Sequence, residues 1–131
     1  MIGLDTSVVV RYLIDDHPEL ANRAEALIEG PQEIGLPLVA LIETAHVLRT
    51  QYRFDRLAVL DALIGFVSRA NVTVLGLPNL DVLDALVRAR AIPSGSIGDA
   101  LIAAQARAAG AVPLYTFDAA LGRHGTEVAT P

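Results

Sequence analysis

The 131-residue chain contains no cysteine, no tryptophan and a single methionine, and only 5% of its residues are aromatic. Without cysteine there is no disulfide framework, no thiolate-ligated zinc or iron–sulfur site and no catalytic thiol, and nothing calls for an oxidising compartment. Lysine is missing as well: all 10 cationic residues are arginine. That removes the P-loop lysine, Schiff-base chemistry and any phosphate site built on an ammonium group. Long hydrophobic runs are absent too. Although 53% of the residues are hydrophobic, Arg, Asp, Glu, Gly or Pro interrupts every stretch before it reaches the roughly 18 residues a membrane span needs. The opening residues Met1 to Leu4 carry no basic n-region, and Asp5 falls where an apolar h-region would have to continue. No signal peptide is therefore expected, and the chain reads as cytoplasmic.

What is present is an acidic excess. Asp plus Glu amount to 15 against those 10 arginines, for a formal net charge of -5. Sequence-independent grip on nucleic acid normally uses a net basic surface, so a polynucleotide partner would have to be met by local arginines or through bound cations. A chain of this length typically buries about 65 to 70% of its unfolded surface, enough for a core without disulfides or a structural metal. With no repeat, linker or low-complexity segment, residues 1–131 are expected to form one domain.

Periodicity gives the fold class. Met1 to Leu4 reads as a short strand, and Asp5, Thr6 and Ser7 supply caps before the apolar run Val8, Val9, Val10, Tyr12, Leu13. Pro18 suits the first turn of a helix through Ile28, which Gly30 and Pro31 end. Ile34 to Leu36 is a second strand. The stripes Leu38, Leu41, Ile42, Ala45, Leu48 and Leu57, Leu60, Leu63, Ile64, Val67 have amphipathic helical spacing. Val72 to Leu75 reads as strand, Pro78 opens a helix through Val87, and Ile97 to Ala109 forms another. Val112 to Tyr115 is strand, Ala119 to Leu121 a short helical turn, and Glu127 to Ala129 a last edge strand. Strands alternating with helices predict an α/β protein with a central, mostly parallel sheet and helices on both faces. In such sheets ligands bind at the carboxyl ends of the strands, where Asp5 and Asp118 both fall.

Each candidate acid has a plain structural role to set beside a functional one. Asp5 and Asp118 are each placed to cap a following helix, and Asp99 stands three residues after Ser96, a capping-box spacing. Glu43 differs: it borders an apolar stripe, and with Val39 and Val47 at i-4 and i+4 no arginine supports it within the helix. If Asp5, Glu43, Asp99 and Asp118 converge on one rim, their mutual repulsion calls for a divalent cation. Hard oxygen ligands suit Mg²⁺ or Mn²⁺, and a bound ion inverts the local sign so that an acidic protein can hold a phosphodiester. The chemistry this set supports is metal-assisted hydrolysis.

The segments Ile2-Gly-Leu-Asp5-Thr6-Ser7, Leu41-Ile-Glu43-Thr-Ala-His-Val-Leu48, Gly98-Asp99-Ala-Leu-Ile-Ala-Ala104-Gln-Ala106 and Tyr115-Thr116-Phe-Asp118 resemble, in order and in spacing, the four acidic motifs of PIN-domain ribonucleases. The resemblance covers essentially the whole chain and implies a three-layer α/β/α PIN-like fold. A free-standing domain of this length is most similar to the VapC toxins of VapBC toxin–antitoxin pairs. That likeness implies a Mg²⁺-dependent endoribonuclease, a homodimer, and inhibition by a small VapB-like antitoxin. By match to the motifs, Asp5, Glu43, Asp99 and Asp118 would be the catalytic and metal-binding quartet, with Thr6 and Thr116 as supporting polar groups. Ser7 departs from the family's pattern, standing where many members carry Asn.

Arg49, Arg53 and Arg56 recur at helical spacing if the helix continues past Tyr52, and Arg11 follows the first motif. Arg11, Arg49 and Arg53 are candidate RNA contacts, against a solvated helix face as the alternative. His46, one turn from Glu43, is placed to hydrogen-bond it, and His124 lies near Asp118. Tyr12, Tyr52 and Phe54 are candidates for stacking on bases or for the core. Rival functions are a phosphotransfer or receiver domain, which the missing lysine disfavours, a catalytically inactive PIN-like binding module, and a metal-dependent nuclease acting on DNA.

Overall fold

The computed structural model describes residues 1–131. The elements follow the expected alternation: β1 (Ile2–Gly3), α1 (Thr6–Leu13), α2 (Pro18–Ile28), β2 (Ile34–Pro37), α3 (Leu38–Thr50), α4 (Arg56–Val67), β3 (Val72–Leu75), α5 (Asn79–Ala91), α6 (Ile97–Ala108), β4 (Leu114–Tyr115), a 3₁₀ helix (Ala119–His124) and β5 (Val128–Ala129). All strand pairs are parallel. β2 lies between β1 and β3, with Ile34 opposite both Ile2 and Val72, and β4 pairs with β5. A parallel partner requires a crossover, and each of the two joining β1 to β2 and β2 to β3 is a pair of helices. The result is a mixed α/β architecture consistent with a three-layer α/β/α PIN fold.

Burial follows strand position. Ile34, Gly35 and Leu36 of the central strand are all buried, whereas β3 alternates buried Val72 and Val74 with exposed Thr73 and Leu75. The open edge of β3 is covered by one side chain at the start of α5. Asn79 Oδ1 accepts from the Val74 amide at 2.8 Å, and Asn79 Nδ2 donates to the Val72 carbonyl at 2.7 Å. α4 is apolar nearly all round because it packs between α3, α5 and β3, burying Val59, Leu60, Leu63, Phe66 and Val67. These join a single buried cluster with Leu36, Leu41, Leu48, Leu86 and Leu101.

Three expectations are corrected. The strands expected over Met1 to Leu4, Val112 to Tyr115 and Glu127 to Ala129 contract to two residues each. For the second of these, Pro113 has no N–H to give a ladder, so pairing begins at Leu114, whose amide donates to the Glu127 carbonyl at 2.8 Å. The sheet also falls into a three-stranded and a two-stranded part, so strand pairing does not by itself bring Asp5 and Asp118 to a common edge. Finally, α3 does not run past Tyr52. It ends at Thr50, Arg53 takes a left-handed φ of 55°, and the Phe54 amide closes the reversal on the Leu48 carbonyl at 3.0 Å. Arg49 and Arg56 consequently meet across a helix–helix joint rather than along one helical stripe.

Candidate functional site

The first motif is built by a cap. Asp5 is extended (φ -84°, ψ 158°) at the N-terminus of α1, and its carboxylate accepts from the Ser7 hydroxyl at 2.8 Å and the Ser7 amide at 3.4 Å. The Ser7 hydroxyl, followed by the Ser7 and Thr6 amides, holds the exposed Asp5 carboxyl below the usual carboxylate range. Ser7, standing where many members of the family carry Asn, therefore supplies a side-chain hydrogen bond to Asp5. Thr6 is buried and turns the other way: its Oγ1 donates to the Ala40 carbonyl at 3.5 Å, the same oxygen that takes the Thr44 hydroxyl at 2.7 Å. Thr6 thus fastens the start of α1 to the first turn of α3.

That fastening brings Asp5 beside Glu43. Both line a hollow of about 240 Å³, together with Thr6, Ser7, Val47 and Arg11. The view of Glu43 as a carboxylate bordering the core is corrected, since the core side of α3 is Leu41, Thr44, Ala45 and Leu48 while Glu43 is exposed. Its claim to function rests on sharing a hollow with Asp5, not on desolvation. Arg11 lines the same hollow, but its guanidinium is committed to Asp16 at 2.8 Å.

Asp99 and Asp118 stand on neighbouring elements and do not line this hollow. Asp99 is half-buried in the first turn of α6, where its backbone amide donates to the capping Ser96 Oγ at 3.1 Å. The reciprocal arm of a capping box, from the Asp99 carboxylate to the Ser96 amide, is not formed, so that carboxylate is not used as a cap. Asp118 is: it accepts from the Ala120 amide at 3.0 Å, and Thr116 Oγ1 braces it by accepting the Asp118 amide at 2.9 Å. α6 packs on α3, and the 3₁₀ helix packs on α6. No three Asp, Glu or His side chains stand close enough together to hold a metal ion by side chains alone.

The other candidates separate. His46 makes no bond to Glu43; it lies with Arg49 in a cavity on the opposite flank of α3. Arg53, on the reversal after α3, lines neither space. Tyr12, Tyr52 and Phe54 pack partly buried against the core, Tyr52 alone of the three also lining the Asp5–Glu43 hollow, and the Tyr12 ring meets Phe66 edge-on with centroids 5.8 Å apart. The aromatics that face solvent are Tyr115 and Phe117, 62% and 87% exposed, on either side of Thr116. A pattern search for stacking residues could have found them from their place inside the fourth motif.

His124 is the most confined of the three histidines. It is buried, and its Nδ1 has no hydrogen-bond partner. Burial pushes its imidazole below the ordinary histidine value, opposed by the charge of Asp99 and reinforced by Arg123, Arg56 and Arg88. Gly125 ends the 3₁₀ helix at φ 76°, a conformation that strains any other residue, and a Cβ there would also push the Arg88 guanidinium aside.

A family model described as PIN domain matches residues 2–126. The chain belongs to the PIN-domain family. No curated protein matches it. PIN domains are generally nucleases that need a metal, which places this protein among metal-dependent nucleases. Its donor set fits that requirement on chemical grounds. Mg²⁺ commonly takes one or two protein carboxylates and keeps several waters, and Asp5 and Glu43 supply two exposed carboxylates in one hollow whose only cation is already paired. No helix is long and apolar enough to cross a membrane.

Proposed function

We propose that this PIN domain, residues 1–131, is a Mg²⁺-dependent endoribonuclease (Mn²⁺ substituting) that acts in the cytoplasm as the toxin of a VapBC-type pair. The observation that carries the reading is the Asp5–Glu43 hollow, in which two carboxylates from different motifs meet without a free cation between them. Asp5 and Glu43 would hold the ion directly, while Asp99 on α6 and Asp118 at the 3₁₀ helix, outside that hollow, would reach it through bound waters. When bound, a divalent ion supplies an activated water and stabilises charge on the phosphate. The chain's own residues do the positioning. Ser7 keeps Asp5 ionised and directed, Thr6 holds α1 against α3, and Thr116 fixes the backbone at Asp118. The exposed rings of Tyr115 and Phe117 beside Asp118 favour a single-stranded substrate whose bases stack, the usual mode of RNA recognition.

Regulation belongs to the same reading. A second, more apolar hollow between α1 and α2, walled by Val8, Leu20, Ala24 and Leu27, shares Ser7 and Arg11 with the acidic one. A VapB-like antitoxin segment lying there would present an arginine to the carboxylates, competing with the metal through a bidentate fork. Exposed Val39 on α3 and Leu57 on α4 support homodimerisation through those helices.

The test is sequencing of the ends left when the purified protein is incubated with Mg²⁺ and either RNA or DNA, alongside Asp5→Asn. The expected result is RNA cleavage that chelator and Asp5→Asn both abolish. DNA cleavage alone would replace the substrate, and no cleavage of either would turn the reading to a binding module.

A further inference from the structure

On the flank of α3 opposite the acidic hollow lies a cavity of about 470 Å³ walled by α3, the joint into α4 and the turn entering α6. Its charged walls are the guanidiniums of Arg49 and Arg56, with His46 beside them and no carboxylate among its lining residues. In a chain of net charge -5 that is a local reversal of sign. The two guanidiniums are not neutralised by each other's neighbours. Arg56 is half-buried and spends Nε on the Gly95 carbonyl and Nη2 on the Ala89 carbonyl, leaving Nη1 free, while Arg49 reaches only the Phe54 carbonyl at 3.3 Å. Burial, and then the charge of Arg49, depress the Arg56 guanidinium from its ordinary value, the mark of a like charge nearby without a counter-ion.

The third wall adds donors. Ser94 and Ser96 bring hydroxyls, and Gly95 lies close against its neighbours: a Cβ would come within 3.1 Å of His124 Cε1 and 3.3 Å of both Arg56 Nη2 and Ile92 Cγ2. The first amides of α6, those of Ile97 and Gly98, belong to residues lining the cavity, and neither has a backbone or side-chain acceptor, as is usual in a first helical turn. Such amides, with guanidiniums opposite, suit a tetrahedral oxyanion.

We propose that this cavity binds a phosphodiester of the polynucleotide chain, so that a strand crossing α3 is held on one flank by Arg49 and Arg56 while another linkage of the same strand lies over Asp5 and Glu43 on the other. The inference rests on the nuclease reading. It adds a substrate-positioning site in which Arg56 and the 94–98 turn replace the arginine row expected from sequence. It also answers how an acidic protein holds a polyanion: the strand is gripped where the carboxylates are not.

The experiment uses the full chain in chelator, so that no metal contributes. Inorganic phosphate is titrated while the Ile97 and Gly98 amide resonances are followed. Separately, a labelled 2′-O-methyl RNA oligomer and a DNA oligomer of the same sequence are titrated by anisotropy. We expect phosphate to shift those two amides, and Arg49→Glu and Ser94→Asp each to weaken oligomer binding by about tenfold or more. Arg49→Lys should lose little, and the salt slope should fall by about one for Arg49→Glu. Glu43→Gln should leave binding intact or tighten it. Oligomer affinity within twofold of wild type for both acidic variants, or phosphate shifts confined to other residues, overturns the proposal. Arg49-dependent binding by a protein that cleaves nothing with Mg²⁺ would instead sink the nuclease reading and leave the cavity standing, and the RNA and DNA arms tell the two strands apart.

Discussion

The two flanks of α3 are made of the same helix and carry opposite chemistry. One flank presents Glu43 and Val47 to Asp5 and Ser7 of α1; the other presents Ile42, His46 and Arg49 to Arg56 and the turn before α6. The acidic flank is open, its carboxylates exposed: a short local bond from Ser7 orients Asp5, and one bond from Thr6 to the Ala40 carbonyl, 34 residues away, sets its two walls together. The basic flank is long-range in origin: Arg56 joins α4 to carbonyls 33 and 39 residues away in sequence. A single amphipathic pattern that serves the core thus leaves two lateral faces, and which charge each displays depends on the neighbour it meets.

The largest expected effect separates the flanks outright. Glu43→Gln should lower metal-dependent cleavage by more than the roughly 10–100-fold that loss of an outer-shell partner costs, while oligomer affinity in chelator does not fall. Single-turnover cleavage with a parallel anisotropy titration measures both, and a matched loss of binding would mean the two flanks are one site. Next in size is Arg56→Ala. It strips two carbonyls of a charged donor and should destabilise the fold by about 1.5–3 kcal/mol in denaturant unfolding, whereas Arg49→Ala should change stability by under about 0.5 kcal/mol. Equal costs would show that Arg56 is not the strap of the basic flank.

The smallest effect sharpens the acidic flank. Asp5 is held below its ordinary range mainly by the Ser7 hydroxyl, so the folded form binds its proton only at a pH below that of the unfolded chain. Its stabilising contribution is present above the unfolded value and lost as pH falls through the folded one. Ser7→Ala should move the Asp5 titration upward, so that metal-dependent activity fails at a higher pH on acidification. Carbon-detected titration of the Asp5 carboxyl would show it, and an unmoved Asp5 would leave the bond without electrostatic consequence.

Much of the acidic flank was legible beforehand because its determinants are local. Asp5 before Ser7 and the stripe from Leu38 to Leu48 each lie within about three helical turns, and the motif order points to the family that residues 2–126 match. The basic flank was legible only in part. Arg49 and Arg53 could be picked out, but the spacing that linked them to Arg56 assumed a continuous helix, and the reversal at Arg53 removed it. Asp99 carried the opposite ambiguity, since its capping-box spacing was real while the side-chain arm was not formed.

By itself, then, the sequence determined the alternation of helices and parallel strands, the four acidic positions and the exclusion of thiol and ammonium chemistry. Periodicity, short-range caps and residue inventory are properties of the chain before it folds. The tertiary structure alone decided that Asp5 meets Glu43 through Thr6 and Ala40, that His124 is buried near the charge of Asp99, and that Arg49 meets Arg56 across a joint. Those encounters depend on how packed helices turn their lateral faces toward one another. That is set by core volumes and crossing geometry summed over the whole buried cluster, and no window along the chain contains it.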